Sequence, residues 1–212
     1  VLKNLIFLYQ ENKLPNKILL KGQKGIGKST LAYHLINFVL SKNEDFPYDI
    51  DHFKIDEKNR SFKLINNGSS PNFFLIDIQA DKKNINIDQI RNIIQDLNKS
   101  SLNNKPKFVL IDNSEYLNKN SINVLLKEIE EPNDNIYFIL IQNQKTLLST
   151  LTSRFIKFNI NLTNKESIFV INKLINKDIH NSVNSNFINY YFSPGNIYRL
   201  MEFCDENNID LK

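Results

Sequence analysis

The chain has 212 residues, 41% hydrophobic and 24% charged, and 27 basic against 23 acidic side chains leave it a net charge of +4. That apolar share excludes a disordered polypeptide. The longest unbroken apolar run, Ile136–Ile141, falls far short of the ~20 residues a spanning helix needs, and the small positive balance points only weakly to an anionic partner.

The first dozen residues carry Lys3 and Asn4 inside a short apolar stretch and offer no small-residue cleavage site, so they do not read as a signal peptide. The chain does not begin with methionine, and its true start is expected upstream. Lys17–Lys21 reads as a strand, followed by a glycine-rich turn and a helix over Thr30–Leu40. Residues 43–72 are polar and aperiodic and are expected to form a long excursion. Phe73–Ile78, Lys107–Asp112, Ile136–Gln142 and Phe155–Ile160 read as further strands, short and apolar enough to be buried on both faces of a parallel sheet. Between them, Asp88–Asn98 sets Ile90, Ile94 and Leu97 on one face, and Ser121–Glu131 sets Ile122, Leu125, Leu126 and Ile129 on another until Pro132 stops it. Strand and helix in alternation predict an α/β domain with a central parallel sheet flanked by helices, over residues 1–161.

From residue 162 onward the pattern is helical, and a small all-helical domain is expected over 162–212. Thr163 and Glu166 form a capping-box pair ahead of Ile168, Ile171 and Ile175. A second helical stretch over Val183–Phe192 ends at Ser193-Pro194-Gly195, and a third puts Ile197, Leu200, Met201 and Cys204 on one stripe. Cys204 is the only cysteine, so an internal disulfide and a multi-cysteine zinc site are excluded. It reads as a buried small hydrophobe in an intracellular protein. His34, His52 and His180 show no ligand spacing. Tyr190, Tyr191 and Phe192 fit a helix core better than a base-stacking platform, and Lys82, Lys83, Lys99 and Lys105 read as a solvated face more readily than as a phosphate-binding one.

The chemistry concentrates after the first strand. Gly22-Gln23-Lys24-Gly25-Ile26-Gly27-Lys28-Ser29 fits G-x-x-x-x-G-K-[ST] between a strand and a helix, the context that pattern requires, and it uses three of the chain's five glycines. Gly22, Gly25 and Gly27 let successive N–H groups face phosphate oxygens. The helix beginning near Thr30 adds its N-terminal partial charge. Lys28 is placed to reach the β and γ phosphates and Ser29 to ligate Mg²⁺. Asp112, at the end of Phe108-Val109-Leu110-Ile111, is the expected acidic partner of that ion, or else a cap on the strand's exit turn. The next residue is Asn113, whose neutral amide is a poor general base, and Glu115 lies two positions further on. ATP or ADP with Mg²⁺ is therefore the expected ligand, with weak or absent hydrolysis.

Asn120-Ser121-Ile122-Asn123-Val124-Leu125-Leu126-Lys127-Glu128-Ile129-Glu130-Glu131-Pro132 resembles a signature of the AAA+ clamp-loader ATPases. Within them the pattern is most similar to the delta-prime class of the bacterial DNA polymerase III clamp loader. Ile136–Gln142 is similar to the family's sensor-1 strand, and Leu147–Phe155 resembles its "LLPTIRSRC" segment with Phe155 in place of cysteine. The resemblance covers roughly residues 15–195. It implies an AAA+ P-loop domain with a helical lid, a nucleotide-facing Gln142, and Arg154 acting in trans on a neighbouring motor subunit's nucleotide. It also implies as partners the motor subunits, the delta subunit, the sliding clamp and primer–template DNA, in the cytoplasm and away from membranes. Departures accompany the matches. The zinc module's cysteines are missing, Asn113 stands where motors carry glutamate, and Gly195 falls where their lid presents an arginine, with Arg199 one turn on. The family's third, collar domain has no counterpart in these residues. A working motor ATPase of the same family, or an unrelated nucleotide kinase, is the alternative reading.

Overall fold

The computed structural model describes residues 1–99, 103–130, 135–143, 147–181, 183–184, 193–207 and 209. Two compact units emerge. Val1–Lys21 with Ser29–Phe158 forms the first, and Gly22–Lys28 with Asn159–Lys212 the second. In the first, the order is α1 (Leu2–Gln10), β1 (Lys17–Lys21), α2 (Lys28–Leu40), α3 (Arg60–Asn66), β2 (Phe73–Ile76), α4 (Ile87–Leu97), β3 (Lys107–Ile111), α5 (Lys119–Glu130), β4 (Ile136–Gln142), α6 (Ser149–Thr152) and β5 (Ile156–Asn159).

The strands form one sheet in the order β2-β3-β4-β1-β5. Pairing is parallel, with Leu19 opposite Leu140, Val109 opposite Phe138, and Ile76 opposite Ile111. One face of the sheet presents Leu19, Val109, Phe138 and Leu140 to a core that Ile90 and Leu97 of α4 and Ile122, Leu125 and Ile129 of α5 complete. These are the apolar stripes of the two helices, so burial of one stripe each explains why both lie there. The expectation of strands buried on both faces holds for β1, β3 and β4. It does not hold at the two edges, where Leu75 of β2 is 47% exposed and Ile156 of β5 is 55% exposed.

Two helices escaped the periodicity. α1 occupies the stretch weighed only as a leader. α3 lies inside the segment expected to be irregular, and seven residues are too few to show a helical period. Polar anchoring holds α3. Asn59 is fully buried, accepts from the Phe62 N–H at 2.8 Å and donates to the Phe46 carbonyl at 2.9 Å. Glu44 accepts from the Ser61 hydroxyl at 2.6 Å and from Lys105 at 2.8 Å, and Lys105 also donates to the Leu40 carbonyl at 2.6 Å. Lys105 is therefore a structural cation, about one third exposed and tied to Glu44 and the Leu40 carbonyl. Burial opposes the charge on Glu44, but the bonds from Lys105 and Ser61 outweigh it and hold the carboxyl below its ordinary range.

Lys107 plays a similar part. Buried at the start of β3, it donates to the carbonyls of Leu97 at 2.8 Å and Lys99 at 2.6 Å, satisfying groups that the end of α4 leaves without helical partners. Replacing Lys107 with methionine keeps the apolar stem and strands those carbonyls, so a loss of about 1–3 kcal/mol is expected. Urea denaturation should show a lower midpoint with an unchanged slope.

In the second unit, α7 (Asn164–Ile175) opens with the expected capping box, the Thr163 N–H donating to Glu166 Oε2 at 2.7 Å. Asn176 ends it in the left-handed region. α8 (Pro194–Asn207) has proline at its first position, where the missing N–H costs nothing. Ile171, Ile179 and Val183 pack with Ile168, Ile175, Ile197 and Met201, and Cys204 is buried, a small hydrophobe as expected. The helical stretch expected over Val183–Phe192, with Tyr190, Tyr191 and Phe192, lies largely outside the described residues. So do Glu131 and Pro132.

Candidate functional site

The glycine loop leaves β1 and runs into α2. Gly25 and Gly27 adopt φ of +84° and +89°, conformations that side-chain-bearing residues resist. Lys28 folds back over its own loop and donates to the carbonyls of Gly22 at 2.9 Å and Gln23 at 2.6 Å. Ile26 is buried, whereas Lys24 is exposed. Within the same unit, the Gly195 N–H at the start of α8 donates to the Gly25 carbonyl at 2.8 Å. Gly195 thus brings backbone to the loop where a side-chain cation was looked for. Arg199 is exposed on α8.

In the first unit, Ser29 donates to Asp112 Oδ2 at 2.5 Å, while Asp112 Oδ1 accepts from the Asn113 N–H at 2.7 Å. The two readings of Asp112 are therefore not exclusive, since one oxygen caps the exit turn and the other meets Ser29. Thr30 lies exposed on the first turn of α2. Gln142 is buried at the end of β4, opposite Lys21 at the end of β1.

Asn113 sits in the left-handed region at φ 48° and its side chain is committed. Its Nδ2 donates to Asp77 Oδ1 at 2.8 Å and its Oδ1 accepts from Asn143 Nδ2 at 3.0 Å. Glu115 accepts from the Asn143 N–H at 3.2 Å. The carboxylate next in line after Asn113 is thus spent on positioning backbone. Tyr33, on α2, senses the same cluster. Burial first, then the charges of Asp112 and Asp77, raise its hydroxyl above the ordinary value. Asp77, Asn143 and Tyr33 were missed by sequence reasoning. Asp77 alone carried a signal, being an acidic residue just past a strand, as Asp112 is.

Arg154 stands on the turn after α6. Its guanidinium donates to the Thr150 carbonyl at 2.6 Å and to Glu130 Oε1 at 2.5 Å. Among the histidines, His34 contacts the Tyr48 hydroxyl at 2.8 Å, and burial pushes its pKa down. Tyr48, raised by burial and then by the charge of Asp49, is pushed up to about 12. Among the described residues no cluster of three or more metal-ligating side chains occurs, and no helix is long and apolar enough to cross a membrane.

A parallel sheet ordered β2-β3-β4-β1-β5, with a glycine loop leaving β1 and an aspartate ending β3, defines a P-loop domain of the AAA+ type. A DNA polymerase III gamma-subunit-related protein from Thermotoga maritima shares that fold at 22% identity and a TM-score of 0.53, over 84% of this chain and 54% of its own. The sequence profile of the family described as "DNA polymerase III, delta subunit" matches residues 1–164, and the chain belongs to that family. It is 30% identical over 171 residues to DNA polymerase III subunit delta' of Buchnera aphidicola subsp. Baizongia pistaciae, covering 78% of this chain and 49% of the relative. It is 28% identical over 209 residues to DNA polymerase III subunit gamma of Buchnera aphidicola subsp. Schizaphis graminum, covering 94% and 55%. The chain spans about half the length of the curated relatives it matches.

Proposed function

We propose that this protein is a delta-prime-like, non-motor subunit of a DNA polymerase III clamp loader. It binds ATP or ADP through its glycine loop and supplies Arg154 in trans to the nucleotide of an adjacent motor subunit. On this reading it works in a cytoplasmic hetero-oligomer with motor and delta subunits, helping to load the sliding clamp on primer–template DNA. One observation carries the reading. Asn113 directly follows Asp112, where the resemblance puts a motor's water-activating glutamate, and its amide is already bonded to Asp77 and Asn143, while Arg154 keeps a charged guanidinium at an exposed edge. A site whose base is missing contributes little turnover, and an arginine whose charge is kept still stabilises charge elsewhere.

The loop residues fit a nucleotide. Gly22, Gln23, Lys24, Gly25, Ile26, Gly27 and Thr30 offer backbone N–H groups and a helix start to phosphates, and Lys28 offers a cation. The hydroxyl of Ser29 and the carboxylate of Asp112, 2.5 Å apart, are hard oxygen donors of the kind Mg²⁺ selects. When bound, the ion neutralises phosphate charge. Gln142, at the end of β4, is proposed to face the nucleotide.

The test compares two substitutions in a complex reconstituted with the cognate motor subunits, reading DNA- and clamp-dependent ATP hydrolysis. Lys28→Ala is expected to lower turnover less than Arg154→Ala does. The reverse order would show that this chain hydrolyses ATP at its own loop and belongs with the motors.

A further inference from the structure

We propose that Glu130 is the positioning residue for Arg154, holding its guanidinium in the orientation in which it meets a neighbour's phosphate. This rests on the in-trans reading of Arg154 given above. The argument starts from the two bonds the arginine makes. Thr150 belongs to α6, four residues before Arg154, and Glu130 is the last residue of α5, so two separate elements grip one guanidinium. One bond lets the planar group swivel, whereas two from different directions fix its plane. An arginine has five N–H donors, and the bonds to Thr150 and Glu130 use two of them, leaving donors to offer a phosphate.

The carboxylate contact is through Oε1 alone, 2.5 Å from the arginine. A two-oxygen fork would take up a whole edge of the guanidinium, and this single bond does not. The pair also stands in water, with side chains 36% and 51% exposed. Solvent screening there leaves little net attraction, so the carboxylate orients the arginine without neutralising it and yields to a doubly charged phosphate. An arginine side chain is rich in rotamers, and a partner that selects one before the reaction removes that search from the barrier.

Glu130 also sits where its charge is otherwise unfavourable. It closes α5, whose C-terminal end repels an anion. The bond to Arg154 supplies a reason for a carboxylate at that position.

The experiment is a double-substitution cycle in the reconstituted complex of this protein with its cognate motor subunits, reading kcat and KM for ATP. Glu130→Gln is expected to lower kcat about threefold, the order of preference an exposed ion pair can impose on one side chain, with KM unchanged. Glu130→Gln combined with Arg154→Ala should be no slower than Arg154→Ala alone, and Glu130→Asp should recover part of the loss. The proposal is overturned if Glu130→Gln is silent while Arg154→Ala is not, or if the two losses multiply, since Glu130 then acts independently of Arg154. A silent Arg154→Ala overturns the in-trans reading itself and this inference with it. Thermal unfolding of the exposed-site variants should match that of the parent protein, which separates a lost orientation from a lost fold.

Discussion

On the proposed in-trans role, alanine at position 154 is expected to slow the adjacent motor site by about 10³-fold, the lower end of what a trans-acting arginine contributes to phosphoryl transfer. The magnitude follows from where the charge acts. A guanidinium presented to the γ-phosphate stabilises negative charge that grows only as the transition state forms, so its removal appears in kcat more than in KM. Folding should hardly register the change. Arg154 and Glu130 form a surface ion pair, and such pairs contribute about 0–1 kcal/mol. Assembly measured by gel filtration should be retained, because the substitution deletes one exposed side chain and no buried contact. Lysine at the same position is expected to restore little. It carries the charge as a point on a flexible stem and lacks the planar fork that two carbonyl and carboxylate partners now orient. If the alanine and parent proteins drive equal turnover, Arg154 is a structural residue of the α6 turn.

How much of this was legible beforehand depended on how local each feature is. The glycine loop and its lysine lie on consecutive residues, so pattern alone located them, and φ of +84° and +89° at Gly25 and Gly27 matches the reason glycine was needed. β1, β3, β4, α4 and α5 carry their periodicity in their own residues. The capping box at Thr163 and Glu166 spans a single turn and was read correctly. Features that depend on the sheet order were not legible. Asp77, Asn113 and Asn143 end three strands that are neighbours only because β2, β3 and β4 are adjacent in space. The role of Lys107 depends on where α4 stops, and that of Lys105 on a carboxylate far back in the chain. The same distance in sequence hid the backbone contact between Gly25 and Gly195. Position 195 was read as part of a helix-ending Ser193-Pro194-Gly195 turn and as a place where an arginine was lacking.

That contact makes Gly25→Ala a strongly damaging single-methyl change in the second unit, at about 2–5 kcal/mol. Two independent costs add. A residue other than glycine at φ +84° costs about 1–2 kcal/mol. The new Cβ also overlaps Ser193 Oγ, and Ser193 is fully buried, so it has nowhere to retreat. Overpacking of that kind costs about 1–3 kcal/mol. The loop is then pushed off α8, and the bond from the Gly195 N–H to the Gly25 carbonyl is strained or lost. Gly195→Ala should be milder. Its Cβ would stand 3.0 Å from the Gly25 oxygen, a contact relieved by a shift of a few tenths of an ångström. Ser193 gives the means of separating the two costs. Its hydroxyl is buried without a hydrogen-bond partner among the described residues, so Ser193→Ala alone should change stability by less than about 0.5 kcal/mol, unlike the usual loss of a helix-capping serine. Combined with Gly25→Ala, it removes the overlapping atom and leaves the backbone strain. Urea denaturation and the affinity for a fluorescent ADP analogue, measured on all four proteins, should show the double variant recovering about half of the loss. If it recovers nothing, the left-handed backbone carries the whole cost and the close approach of α8 is incidental to the loop.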